Sequence, residues 1–224
     1  LLKPEGDVDL EEDKNKKETI DRNVDPIFNI VFRDMRKETA TVFRKLALFS
    51  GSFDDKAAAG ICGDRDGDHL GRLVALKLLE YDGINKRYFF HDLIHKLIKT
   101  EVRPSEKILT HRNLAFYYFD VLKDANDLYD SDEDALESAL NLFDLDWYNI
   151  EAGQKWSSQK STEDAKIAKL CGDFCKEARV LMPMRHTTEE CIQWNESALE
   201  ASRDSENVEA EKNNLLSLGM QLHS

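Results

Sequence analysis

The sequence predicts a mainly α-helical fold, and three observations predict it. Apolar residues recur at three- and four-residue spacing along most of the chain. Glycine and proline, 10 and 4 in 224 residues, are too scarce to break those runs often. The spacing shortens at one place, where two β-prone runs, Leu78 to Asp82 and Arg87 to Phe90, are joined by "GIN". That is a hairpin signal set inside helical sequence.

Residues 1–24 are polar, charged and weakly periodic, which reads as a linker or arm. The chain opens without methionine, so it is expected to be a fragment of a longer protein. Asp25 is the expected N-cap of a first helix, with Pro26 at its first position and Ile27, Ile30 and Val31 as its stripe. A second helix over about 37–49 carries Val42, Phe43, Leu46 and Phe49 and stops at Ser50-Gly51. The stretch "DDKAAAGIC" gives a short helix to Gly63. A fourth runs from about Asp66 to Lys77 on Leu70, Leu73, Val74 and Leu76. The hairpin follows, and then a helix from His91 to about Val102. Helices, a β-hairpin and a further helix describe a winged-helix domain over 25–103.

Beyond Pro104 every segment reads helical, at about 104–129, 132–143, 145–158, 163–181, 187–203 and 206–223. Residues 104–160 are expected to form a helical connector. Residues 161–224 are expected to form an α-α superhelix with tetratricopeptide-like (TPR-like) units. In "CIQWNESALEAS", Cys191, Trp194 and Ala198 stand where the second helix of such a unit places small and packing residues. In "NNLLSLGMQL", Leu215, Leu218-Gly219 and Leu222 have the spacing of its first helix. The sequence stops at Ser224 within a unit, so a truncated array is expected, with a weakly stabilised end.

The formal charge of −13 disfavours nucleic acid and anionic membrane as partners. No apolar run is long enough to span a bilayer, and no signal peptide opens the chain. Cys62, Cys171, Cys175 and Cys191 lack CxxC spacing and read as buried small hydrophobes, so a cytoplasmic location is expected. Between Asp120 and Glu151 stand eleven acids and one base, Lys123. This reads as a solvated acidic face, or as a docking face for a basic partner. The helix that a DNA-binding winged helix would lay in the major groove offers Arg72, Lys77 and His69 against Asp66 and Asp68, too little positive charge for a duplex.

The stretch "FFHDLIHKLI" sets His91 and His95 four apart with Asp92 between them. A zinc hydrolase of HExxH type needs a Glu base and a third ligand, and neither follows, so no metal is expected. "GDRDGDHLG" fails as a calcium loop: its glycine falls early, and Ala75 stands where the closing Glu belongs. No GxxxxGK[ST] occurs, so the chain itself is not expected to hydrolyse ATP. No Ser-His-Asp or Cys-His signature points to a nucleophile, and no catalytic residue is assigned. His91 can also cap the turn into its helix, with Asp92 favoured there by the helix dipole.

Three stretches, "FRKLALFSGSFDDKAAAGICG", "HLGRLVALKLLEYD" and "RYFFHDLIHKLI", follow one another in the order seen in STAND-class signalling ATPases. The region over 25–103 resembles the winged-helix domain that follows their NB-ARC nucleotide-binding module. "FDLDWYNIEAGQKW" and the later repeat-like stretches resemble the helical connector and first TPR units of bacterial NB-ARC/TPR proteins. The resemblance implies a regulatory and protein-interaction fragment whose parent binds ADP or ATP. The upstream nucleotide-binding module would be one partner, and a protein or peptide on the TPR-like face another. It assigns to His91 contact with the β-phosphate of ADP, with Asp92 beside it; Phe90 stands where methionine is common in plant members. The basic cluster of Lys96, Lys99, Arg103, Lys107 and Arg112, set against Glu101 and Glu106, reads as a solvated face or as a contact to that missing module. The same segments occur in large bacterial transcription activators, and a fragment of one, with its DNA-binding domain elsewhere, is the alternative.

Overall fold

The computed structural model describes residues 26–131, 135–204 and 208–221. The charged arm and the expected cap Asp25 lie outside these residues, as does Leu222. The described chain is mainly helical with one two-stranded sheet. Helix α1 covers 26–33 and α2 covers Lys37–Leu46. A short α3, Asp55–Ala57, widens into a π-helical turn, Ala58–Cys62, and α4 spans Asp68–Ala75. Strands β1 (Glu80–Asp82) and β2 (Arg87–Phe89) pair antiparallel, Tyr81 opposite Tyr88, before α5 (Asp92–Thr100). Five longer helices follow: α6 (Pro104–Ser131), α7 (Leu136–Gln159), α8 (Ala165–Ala178), α9 (Thr188–Asp204) and α10 (Val208–Gln221).

Local chemistry accounts for the element ends. Asp54 caps α3 by accepting from the Ala57 N–H at 2.8 Å. The buried Asp64 carboxylate accepts from the His69 and Leu70 N–H groups at 3.2 and 2.8 Å and starts α4, so the apparent calcium loop is a helix cap. Helix α4 ends in a Schellman turn: Leu78 N–H donates to Leu73 and Lys77 N–H to Val74, both at 3.0 Å. Lys77 takes the left-handed position there, at φ 60°, where glycine is usual.

One expectation is corrected. The segments placed at 132–143 and 145–158 form one helix, α7, through Asp144 and Leu145. Charge alone does not break a helix, and no Gly or Pro stands there. Among the described residues nothing lies within 4 Å of where a Cβ would sit on Gly219. Close approach occurs instead at Gly153 of α7. A Cβ there would stand 3.1 Å from both the Ala115 Cα of α6 and the Phe174 ring of α8. Cys191, Trp194 and Ala198 are buried, whereas Leu215 is 45% exposed.

Aromatic rings run through the core from the first helix to the sixth. Phe28 meets Phe43 (6.4 Å between centroids), Phe43 stacks on Phe90 (5.8 Å), Phe90 meets Phe53 (6.4 Å), Phe53 meets Phe49 (4.4 Å), and Phe49 meets Tyr118 edge-on (6.1 Å). The core is therefore continuous across the junction at 103–104. Successive helices from α6 to α10 each pack on the next. A second aromatic group, Phe119, Phe174, Trp194 and Trp147, joins α6, α7, α8 and α9.

The hairpin is tied to α7 by polar bonds. Arg87 of β2 forms a two-pronged ion pair with Asp146 of α7, both buried. The same guanidinium donates to the Ser52 carbonyl at 2.6 Å and the Leu145 carbonyl at 3.2 Å. One turn on, the buried Asn149 amide accepts from the Ser50 and Gly51 N–H groups at 2.9 and 3.1 Å and donates to Ser52 at 2.8 Å. Burial pushes the Asp146 carboxyl above the usual carboxylate range, and the Arg87 guanidinium pulls back part of the rise.

Two stability predictions follow from these bonds. Asp146→Ala should lower unfolding free energy by ~3–5 kcal/mol, because it strands the buried guanidinium, and Arg87→Met with Asp146→Leu together should recover much of it. Urea denaturation of the single and double variants checks this. Lys77→Gly should raise stability by up to ~1 kcal/mol by relieving the left-handed lysine, read as a higher midpoint at unchanged slope.

Candidate functional site

The candidate site lies where β2 passes into α5, and three side chains divide the work there. Phe90 turns inward and stacks between Phe43 (5.8 Å) and His95 (4.8 Å). His91 is the N-cap of α5, in extended conformation at φ −68° and ψ 136°. Its Nδ1 accepts from the Leu93 N–H at 3.4 Å, a long bond. An imidazole that accepts at Nδ1 carries its proton on Nε2 when neutral. His91 and Asp92 are both exposed, so the Nε2 edge faces outward as a donor.

His95, one turn further, points the other way. Its Nε2–H donates to the Ala47 carbonyl at the end of α2, 2.9 Å away, and fastens α5 to α2. Burial holds its ring below the usual histidine range, against the Ala47 bond. The two histidines therefore do not converge, despite their spacing in sequence. No cluster of three or more His, Cys, Asp or Glu side chains among the described residues could hold a metal ion.

The other expected site residues are spread out. His69 shares a 3.0 Å hydrogen bond with Thr39 of α2, leaving Arg72 and Lys77 as the exposed cations of α4 and its end. The acidic stretch divides: Asp120, Asp124, Asp127 and Asp130 line exposed α6, Asp144 pairs with Arg185 at 2.8 Å, and Asp146 is buried. The cysteines of α8 and α9 are free and buried, and burial raises the thiols of Cys171 (to about 11) and Cys175 out of the reactive range. No described helix is long and apolar enough to cross a membrane.

Sequence reasoning missed a partly buried bidentate pair near the basic cluster. Arg44 of α2 holds Glu106 of α6 by two 2.7 Å bonds, and those bonds keep the Glu106 carboxyl below its usual value. Beside it, burial first, and then Lys107 and Lys99, hold the half-buried His111 below the histidine range.

His95 and His111 set an expected pH response. In the unfolded chain both titrate near ~6.5. Both folded values are lower, so below that pH the unfolded chain binds more protons and stability falls as pH drops. The loss ends once the depressed folded values are passed; that of Glu106 comes later, in the carboxylate range. Urea midpoints compared at pH ~7.5 and ~5.5 should show it, and His95→Gln with His111→Gln should flatten it. No protein-family model, no curated protein and no solved structure matches the chain.

Proposed function

We propose that the chain is the regulatory and protein-interaction part of a STAND-type NTPase. In this reading 25–103 is a winged helix that relays nucleotide state, and the helices from α6 onward begin a TPR-like superhelix that senses a protein or peptide partner. The observation that carries it is the outward His91 edge. Its tautomer is set by the Leu93 cap and its position by the inward Phe90. An exposed Nε2–H suits a phosphate oxygen brought by another module, and Asp92 acts behind it at the first turn of α5.

Two further observations support the reading. The order α2, α3, α4, hairpin, α5 suits a winged helix, and an isolated antiparallel bridge from Phe53 to Tyr88 extends the hairpin between α2 and α3. The sequential packing from α6 to α10 suits an α-α array.

The test uses the parent protein with its nucleotide-binding module. A charge-assisted hydrogen bond of roughly 1.5–3 kcal/mol corresponds to about ten- to a hundred-fold in an equilibrium. His91→Ala should speed ADP release by that order, and Asp92→Ala more mildly. His95→Ala should lower thermal stability, by loss of the Ala47 bond and the Phe90 stack, with the ADP off-rate unchanged. Equal off-rates for wild type and His91→Ala would reduce His91 to a helix cap.

A further inference from the structure

An acidic protein carries here a face where cations outnumber acids. Lys96 and Lys99 are exposed on α5, and Arg103 and Lys107 follow at the turn into α6. None of the four makes an ion pair among the described residues. Of the acids set among them, Glu106 is spent on Arg44, and Glu101 is exposed at the end of α5. Lys99 and Lys107 both act on the His111 ring, so the end of α5 and the first turns of α6 form one positive surface. Apolar side chains interrupt it: Ile108 is 66% exposed and Leu109 58%. One turn on, the Arg112 guanidinium stands 5.8 Å from the centroid of the half-exposed Phe116 ring. A surface of lysines around bare aliphatic groups fits a segment that alternates acids with aliphatic residues.

The chain contains such a segment. Residues 5–13, "EGDVDLEED", hold six acids and no base, with Val8 and Leu10 alternating between carboxylates. Twelve residues separate Asp13 from Pro26, a tether of at most roughly 45 Å. Its root at α1 is near the face: Phe28 meets Phe43 at 6.4 Å, Phe43 meets Phe90 at 5.8 Å, and Phe90 meets His95 of α5 at 4.8 Å. A short tether supplies an effective concentration near the millimolar range, enough to populate a weak contact. A second copy has no such advantage and brings a charge of −13 against −13.

We propose that residues 5–13 fold back in cis onto this face. Their carboxylates meet Lys96, Lys99 and Lys107, and Val8 and Leu10 cover Ile108 and Leu109. Any acidic partner of the face must first displace the chain's own arm. The contact does not depend on a nucleotide role for His91.

Zero-length carbodiimide coupling of the full chain, followed by peptide mapping, tests the proposal. Amide bonds should join carboxylates of 5–13 to Lys96, Lys99 or Lys107 in a species of monomer mass. Their yield should fall about five-fold or more between ~20 mM and ~500 mM salt. Lys99→Glu with Lys107→Glu, both at exposed positions, should remove the coupling to the face. Adding Asp9→Lys and Glu11→Lys to that variant should restore coupling with the polarity exchanged. Absent coupling, or equal coupling to Lys166 and Lys176 on α8, would overturn the proposal. Coupling confined to a covalent dimer would do so as well, by giving the face to a second copy.

Discussion

The buried pair of Arg87 and Asp146 constrains the rest of the structure more than any other contact. A guanidinium on β2 and a carboxylate on α7 can stay charged away from water only if each finds the other. That condition fixes the hairpin, the Ser50–Ser52 loop and α7 relative to one another. Apolar side chains of similar volume could supply comparable stability, but they would tolerate a slip along the helix that two prongs on one carboxylate do not. Asn149 adds a second fixed point one turn away, and Gly51 lets α7 in, with Tyr148 Cβ 3.1 Å from where a side chain would begin. The aromatic line from Phe28 to Tyr118 then fills the space this frame leaves.

Much of the element order was legible in the sequence, because helix and hairpin signals are local. What escaped was set by partners distant in the chain. Asp146 sits in an acid-rich stretch and was read with it, yet it lies three residues from each of two buried residues, Phe143 and Asn149. A carboxylate on that inward stripe is a readable signal of a buried partner, but its partner lies 59 residues away. The break expected at Asp144 is likewise absent, because α7 runs straight through it. Gly153 went unnoticed because a glycine inside a helix shows its purpose only when the neighbouring helices are in place.

The candidate site was legible in part. The spacing of His91 and His95 suggested a shared helix face, whereas the alternative reading of His91 as the cap of the turn is the one seen. A cap residue has left the helical spiral, so the four-residue rule no longer predicts where its ring points. Phe90 inward, His91 outward and His95 inward form an arrangement in which only the middle residue is available to an outside group. The tautomer of His91 comes from a backbone N–H and needs no acidic neighbour.

Helix α7 has 24 residues, about 36 Å of straight rod at 1.5 Å per residue. Asp146 and Asn149 hold it to the hairpin side, while Gln154, a little over one turn on, donates at 2.7 Å to Ser197 of α9. The ion pair lies near the rod's middle, with ten residues (about 15 Å) of helix before it and thirteen (about 20 Å) after it. The rod is therefore a lever with its fulcrum at the ion pair. A tilt of about 5° there would sweep its two ends together by about 3 Å, roughly two residues' rise. Helices stacked on the longer arm inherit that displacement, so the angular precision of one buried salt bridge sets the positional precision of every surface beyond it.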